Sequence, residues 1–165
     1  MIALETINAM PELVGEFGDI AEHAPWVAER AQMARPFKSR AEMIKAFQNA
    51  ILNADEADQL SLIRAHPDLA GKAKLTPDSQ SEQKGAGLDT LSADELARFT
   101  QLNDTYKSRF DFPFIFAVKG ANKHQILESF EVRLSNDKPT EFATALEMVC
   151  RIVSFRLEDK VSPDE

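Results

Sequence analysis

The strongest constraint on the fold is a series of helix-start signals, each followed by apolar residues at helical spacing. Ser39 with Glu42 and Ser92 with Glu95 match the Ser-x-x-Glu pattern, in which two side chains satisfy free backbone N–H groups of a first helical turn. After each signal, apolar residues recur at intervals of three and four, as one face of a helix requires. We therefore predict an all-α fold.

Eight helices are predicted from these signals and from the positions of prolines. Their approximate bounds are 4–17, 25–33, 39–53, 55–66, 76–84, 92–106, 123–134 and 140–158. Residues 110–119 are nearly all apolar, and Pro113 forbids an ordinary helix there, so we predict an extended buried segment. Because 165 residues fit one domain and no linker is visible, residues 1–165 are expected to form a single compact domain.

Charge and cysteine content exclude several classes of partner. The formal net charge is −8 and there is no basic run, so neither a nucleic acid nor an anionic membrane is an expected partner. The single cysteine, Cys150, cannot form an intramolecular disulfide, and no targeting signal or membrane-spanning run is visible. These features favour the cytoplasm. An anionic substrate would need local positive charge.

His66 is the main candidate for chemistry. It lies three and four residues beyond Ile63 and Leu62, on an apolar face, and Pro67 ends the predicted helix at this residue. Two interpretations remain open. His66 is either a core histidine whose hydrogen-bonding groups all have partners, or a general acid/base held partly away from water. No two of the three histidines have the spacing of a metal-binding pair, so we expect no metal.

A second candidate, Arg156, occupies a position where a core residue is due. It continues, at the helical interval, the apolar stripe of the last predicted helix, formed by Phe142, Ala145, Leu146, Val149, Ile152 and Val153. The arginine either extends along the helix end to solvent or is buried against a carboxylate, where it would serve as a clamp for an anionic substrate.

Five segments in order along the chain resemble the 2-oxo-4-hydroxy-4-carboxy-5-ureidoimidazoline (OHCU) decarboxylases. They are residues 17–28, residues 65–72 beginning Ala65-His66-Pro67-Asp68, residues 79–88 beginning Ser79-Gln80-Ser81-Glu82-Gln83, residues 112–115 (Phe112-Pro113-Phe114-Ile115), and Arg151-Ile152-Val153 with Arg156-Leu157. The resemblance implies an all-α fold, usually dimeric.

The resemblance also assigns residues to a site. His66 and Glu82 match the catalytic histidine and glutamate of the family, and Arg156, rather than Arg151, matches its late arginine. The positions that match the substrate-binding residues of the family are Pro67, Ser79, Gln80, Ser81, Gln83, Phe114, Ile115, Phe116, Ala117, Val118 and Arg156.

The function implied is decarboxylation of OHCU, a small anionic ureidoimidazoline, to (S)-allantoin in urate degradation, without a cofactor or a metal. A homodimer is expected. Two alternatives are a related lyase or hydrolase that acts on another ureide, and a non-catalytic helical module that binds a partner through an exposed groove anchored by residues 110–116.

Overall fold

The computed structural model describes residues 1–71 and 75–165, and this part of the chain contains helices and no strand. The α-helices are α1 (Leu4–Ala9), α2 (Val14–Phe17), α3 (Trp26–Ala31), α4 (Arg40–Leu52), α5 (Glu56–Ala65), α6 (Pro77–Gly85), α7 (Ala93–Phe110), α8 (Lys123–Arg133) and α9 (Lys138–Lys160). A 3₁₀ helix, Gln32–Ala34, follows α3. The all-α prediction is confirmed. Residues 72–74, which the family resemblance partly covers, lie outside the described residues.

The first predicted helix, residues 4–17, is wrong as a single element. It is divided into α1 and α2, because Pro11 has no backbone N–H and disfavours helical geometry for the residue before it. Met10 is accordingly extended, with ψ of 139°. The backbone N–H of Leu13 instead donates to the side chain of Gln32 at 2.9 Å.

The predicted helix caps are present. Ser92 and Glu95 form a reciprocal capping box at the start of α7. Ser39 accepts a hydrogen bond from the backbone N–H of Glu42 at 3.0 Å. The helix before Pro67 ends at Ala65, so His66 is the first residue after α5. A local signal, the proline at position 67, therefore places His66 at the end of α5.

The described chain forms two compact units, and each has its own apolar core. The first comprises residues 1–65 and 149–165, and the second comprises residues 66–148. In the first unit, the rings of Phe17 and Phe47 meet edge to face at 6.3 Å. In the second, the ring of Phe114 stacks on that of Phe130 with centroids 3.8 Å apart. That residues 1–165 are one domain stays a prediction.

The predicted extended segment is confirmed as a buried stretch without helix or strand. Phe110 is the last residue of α7, and residues 112–118 follow without regular structure. Phe110, Phe112 and Phe114 are each only 1–2% exposed, so they cannot anchor an exposed groove. No helix in the described residues is long and apolar enough to cross a membrane.

Candidate active site

The loop that carries His66 is fastened to α7. His66 itself is buried, at 7% exposure. Three residues further on, the carbonyl of Leu69 accepts a hydrogen bond from the side-chain amide of buried Asn103 at 2.9 Å. Between them, the carboxylate of Asp68 forms an ion pair with Lys107 at 2.6 Å. Two residues one helical turn apart on α7 therefore fix the backbone immediately after the histidine.

Helix α6 turns polar residues, rather than apolar ones, toward its buried side. Ser79 and Gln83 are one turn apart and buried, and Glu82, three residues from Ser79, is partly buried. The side-chain carbonyl of Gln83 accepts a hydrogen bond from the backbone N–H of Ala70 at 3.0 Å. This bond joins the His66 loop to the helix that carries Glu82. Gln80 and Ser81 lie on the exposed side of α6.

Residues 114–118, the third part of the predicted site, are held by a buried arginine of α8. The guanidinium of Arg133 donates to the carbonyl of Ile115 at 2.6 Å and lies over the ring of Phe114 at 4.3 Å. Within the segment, Phe116 is partly buried and the other four side chains are buried. A stretch that lacks helix and strand therefore gains a fixed backbone position from a side chain.

The same arginine belongs to a buried hydrogen-bonded network around Glu141. The carboxylate of Glu141, 0% exposed, accepts hydrogen bonds from Arg133 at 2.8 Å, from the hydroxyl of Tyr106 at 2.5 Å and from the side-chain amide of Asn136 at 2.9 Å. Burial raises the pKa of Tyr106 well above its usual range, and its hydrogen bond to the carboxylate raises the pKa further. Tyr106 therefore stays a neutral donor.

Arg156 belongs to the first unit and is buried, at 5% exposure, so extension to solvent is excluded. Its guanidinium donates to the carboxylate of Glu22 at 2.8 Å and to the carbonyl of Ile20 at 3.0 Å. Arg151, five residues earlier, is exposed. The helical stripe thus predicted correctly that Arg156 is buried, while its match to the late arginine of the family and a contact with a substrate stay predictions.

The second unit contains His66, Pro67, α6 and residues 114–118, which are all the predicted site residues except Arg156. Sequence reasoning missed Arg133, Glu141 and Glu22. Arg133 had a usable signal, since it continues the buried stripe of Ile126 and Phe130 in α8 as Arg156 does in α9.

In the described residues, no group of three or more His, Cys, Asp or Glu side chains is placed to hold a metal ion.

Together these features define a class, an all-helical protein with a buried histidine after one helix, a polar buried face on the next, and an apolar segment fixed by a charged network. A sequence model of the OHCU decarboxylases matches residues 8–158. The chain belongs to this family.

Similar proteins are named as OHCU decarboxylases, or are named for uric acid degradation or for the synthesis of (S)-allantoin. An OHCU decarboxylase of Haloferax volcanii is 42% identical over 165 residues, which cover 99% of this chain and 98% of the relative. A uric acid degradation bifunctional protein of Bacillus subtilis is 39% identical over 98% of this chain and 33% of its own length. The crystal structure of an (S)-allantoin synthase aligns with a TM-score of 0.81 and 27% identity, over 98% of this chain and 54% of that one.

Proposed function

We propose that this protein is a carboxy-lyase that converts OHCU to (S)-allantoin in urate degradation. The observation that carries the proposal is membership of the OHCU decarboxylase family over nearly the whole chain. The buried His66, joined through its loop to the helix of Glu82, supports the assignment of the chemistry to these two residues.

The reaction needs positioning and proton transfer more than it needs an external electron acceptor. The bond between the ring carbon and the carboxylate breaks, and its electron pair moves into the conjugated imine of the substrate as carbon dioxide leaves. Loss of carbon dioxide leaves an enol, in which the carbon that carried the carboxylate still bears the hydroxyl. The hydroxyl loses its proton to become the ring carbonyl, and a proton adds to the neighbouring ring carbon that bears the ureido group. Protonation from one face gives a single enantiomer, so the protein has to hold the ring in one orientation.

His66 and Glu82 have different roles in this reaction. His66 transfers a proton to or from the substrate hydroxyl and ring, because an imidazole can both accept and donate a proton. Glu82 accepts hydrogen bonds from the ureido group and orients it. The fixed backbone after His66, with its bonds to Asn103 and Gln83, supports a constant position of the imidazole relative to the bound ring.

The remaining predicted residues hold the substrate. The family resemblance assigns Ser79, Gln80, Ser81 and Gln83 on α6, together with Pro67, to the lining of the pocket, and the backbone of residues 114–118 to holding the ring. Arg156 holds the carboxylate. Because Glu22 already compensates the charge of this arginine, we expect Arg156 to contribute directed N–H bonds more than net positive charge.

The test measures the turnover of freshly generated substrate and the circular dichroism of the product. His66→Asn and Glu82→Gln are each expected to lower kcat by about a hundredfold or more, the usual contribution of a positioned acid/base group. His124→Asn and Glu128→Gln, at exposed positions of α8, are matched controls that keep wild-type rates. Wild-type turnover in both site variants would refute the roles of His66 and Glu82, and a wild-type protein that leaves spontaneous decay unchanged would refute the function.

We also propose that the protein works as a homodimer in the cytoplasm. The family resemblance supports the dimer, and the single, buried Cys150 and the acidic composition fit a reducing compartment. Light scattering coupled to gel filtration measures the mass directly. A mass of 18.4 kDa at working concentration would contradict the dimer.

A further inference from the structure

We propose that Arg133 and Glu141 are positioning residues for catalysis, which set the backbone of residues 114–118 in the orientation that holds the substrate ring. The inference rests on the proposed function, because it takes these residues as part of the substrate site. Neither Arg133 nor Glu141 belongs to the site that the family resemblance assigns. Both act through the carbonyl of Ile115.

The geometry of the guanidinium carries the proposal. Nη1 of Arg133 donates to the Ile115 carbonyl at 2.6 Å, while Nε of the same planar group donates to Glu141 at 2.8 Å. The group also lies 4.3 Å from the centre of the Phe114 ring. A planar group held at two edges and one face has little freedom, so it fixes the direction of the peptide that joins Ile115 to Phe116.

The carboxylate of Glu141 is itself held by two further hydrogen bonds, so other residues of the second unit help to determine the orientation of Arg133. Tyr106 of α7 and Asn136, which precedes α9, both donate to its carboxylate. The side chains of Arg133 and Glu141 are 6% and 0% exposed. The network therefore connects α7, α8 and α9 to a segment of the predicted site that lacks helical hydrogen bonds.

Stability alone accounts poorly for this arrangement. A buried ion pair is often no more stabilising than an apolar replacement of similar volume, because both charges lose their hydration. Among the described residues, the buried Nη2 of Arg133 has no hydrogen-bond partner, which a purely stabilising pair would avoid. Precise placement of a ring-binding backbone gives the pair a use, since a displacement of about 1 Å costs about a hundredfold in rate.

The experiment removes the bond to Ile115 without leaving an unpaired buried charge. The double variant Arg133→Met with Glu141→Gln removes both charges, and the new amide still accepts from Tyr106. Arg133→Lys is the second variant, because a single ammonium on a flexible stem cannot reproduce the planar two-edged contact. Ile126→Val, at a fully buried position of the same helix, is the control for a change in packing.

Each variant is checked for folding, and kcat, KM and the excess of the (S)-product are then measured where catalysed turnover exceeds spontaneous decay. The folded double variant is expected to lose about a hundredfold in kcat, with a smaller change in KM and a lower (S)-excess, while the control keeps all three values. Wild-type kcat, KM and (S)-excess in the folded double variant would overturn this inference but not the proposed function.

If the double variant does not fold, Arg133→Lys decides by the same three values. Failure of both variants to fold would make the pair structural and overturn the inference. An inactive wild-type protein would overturn the proposed function and this inference with it.

Discussion

Two buried arginines, Arg156 and Arg133, are each compensated by a carboxylate that the sequence does not reveal. Arg156 meets Glu22, which lies 134 positions earlier, in the first unit. Glu22 is 1% exposed and adopts φ of 48°, a left-handed backbone that is uncommon for a residue with a side chain. The ion pair and the strained backbone are therefore at the same residue.

Glu22→Gln is expected to lower the free energy of unfolding by about 3–5 kcal/mol, because it keeps the shape of the side chain but leaves the charge of Arg156 buried without its counter-ion. Urea unfolding measures the change. The control is Asp58→Asn, which removes one partner of the exposed Arg30–Asp58 pair and should cost only about 0–1 kcal/mol. Equal effects of the two substitutions would show that the buried pair contributes no more than an exposed one.

At the scale of helices, local signals predicted several helix starts and ends, whereas contacts between residues far apart in the sequence could not be predicted. The capping box at Ser92 and the proline after His66 act within one turn, so they predict the start of α7 and the end of α5. The end of α7, predicted at residue 106, lies at Phe110. The predicted helix at residues 4–17 is divided, because Pro11 breaks the helix although the apolar residues on both sides keep the helical spacing. The partners of Arg133 depend on packing in three dimensions, which helical periodicity does not encode.

Helix α7 contains a carboxylate whose ionisation contributes to stability. The ammonium of Lys123, at 2.8 Å, and then the backbone N–H of Ser92 lower the pKa of Glu95 from 4.5 to about 2. Because the pKa in the folded chain is below that in the unfolded chain, the stabilisation is complete above pH of about 4.5 and is lost as the pH falls toward 2.

Glu95→Gln should therefore weaken the dependence of stability on pH between about 5 and 2, since glutamine still completes the capping box but does not titrate. Unfolding in urea at a series of acidic pH values measures this dependence. Asp104→Asn, which removes an exposed carboxylate from the same helix, is the control. In this variant Glu95 still titrates, so its contribution to the pH dependence of stability should remain. An unchanged pH dependence in Glu95→Gln would contradict the lowered pKa.

At the scale of the whole molecule, α9 contributes residues to both compact units. The first helical residues of α9, up to 148, belong to the second unit, and those from 149 onward belong to the first. Melting one unit would remove the packing from half of a continuous helix, which favours cooperative unfolding of residues 1–165.

The chain carries one natural probe in each unit, because its only tryptophan is Trp26 and its only tyrosine is Tyr106. If residues 1–165 form one domain, tryptophan fluorescence and tyrosine absorbance should report the same urea midpoint. Ile126→Ala, which opens a cavity in the second unit at a cost of about 2–5 kcal/mol, should then lower the Trp26 midpoint as much as the Tyr106 midpoint. A shift confined to Tyr106 would instead mean that the second unit unfolds by itself, and the chain would then have two domains.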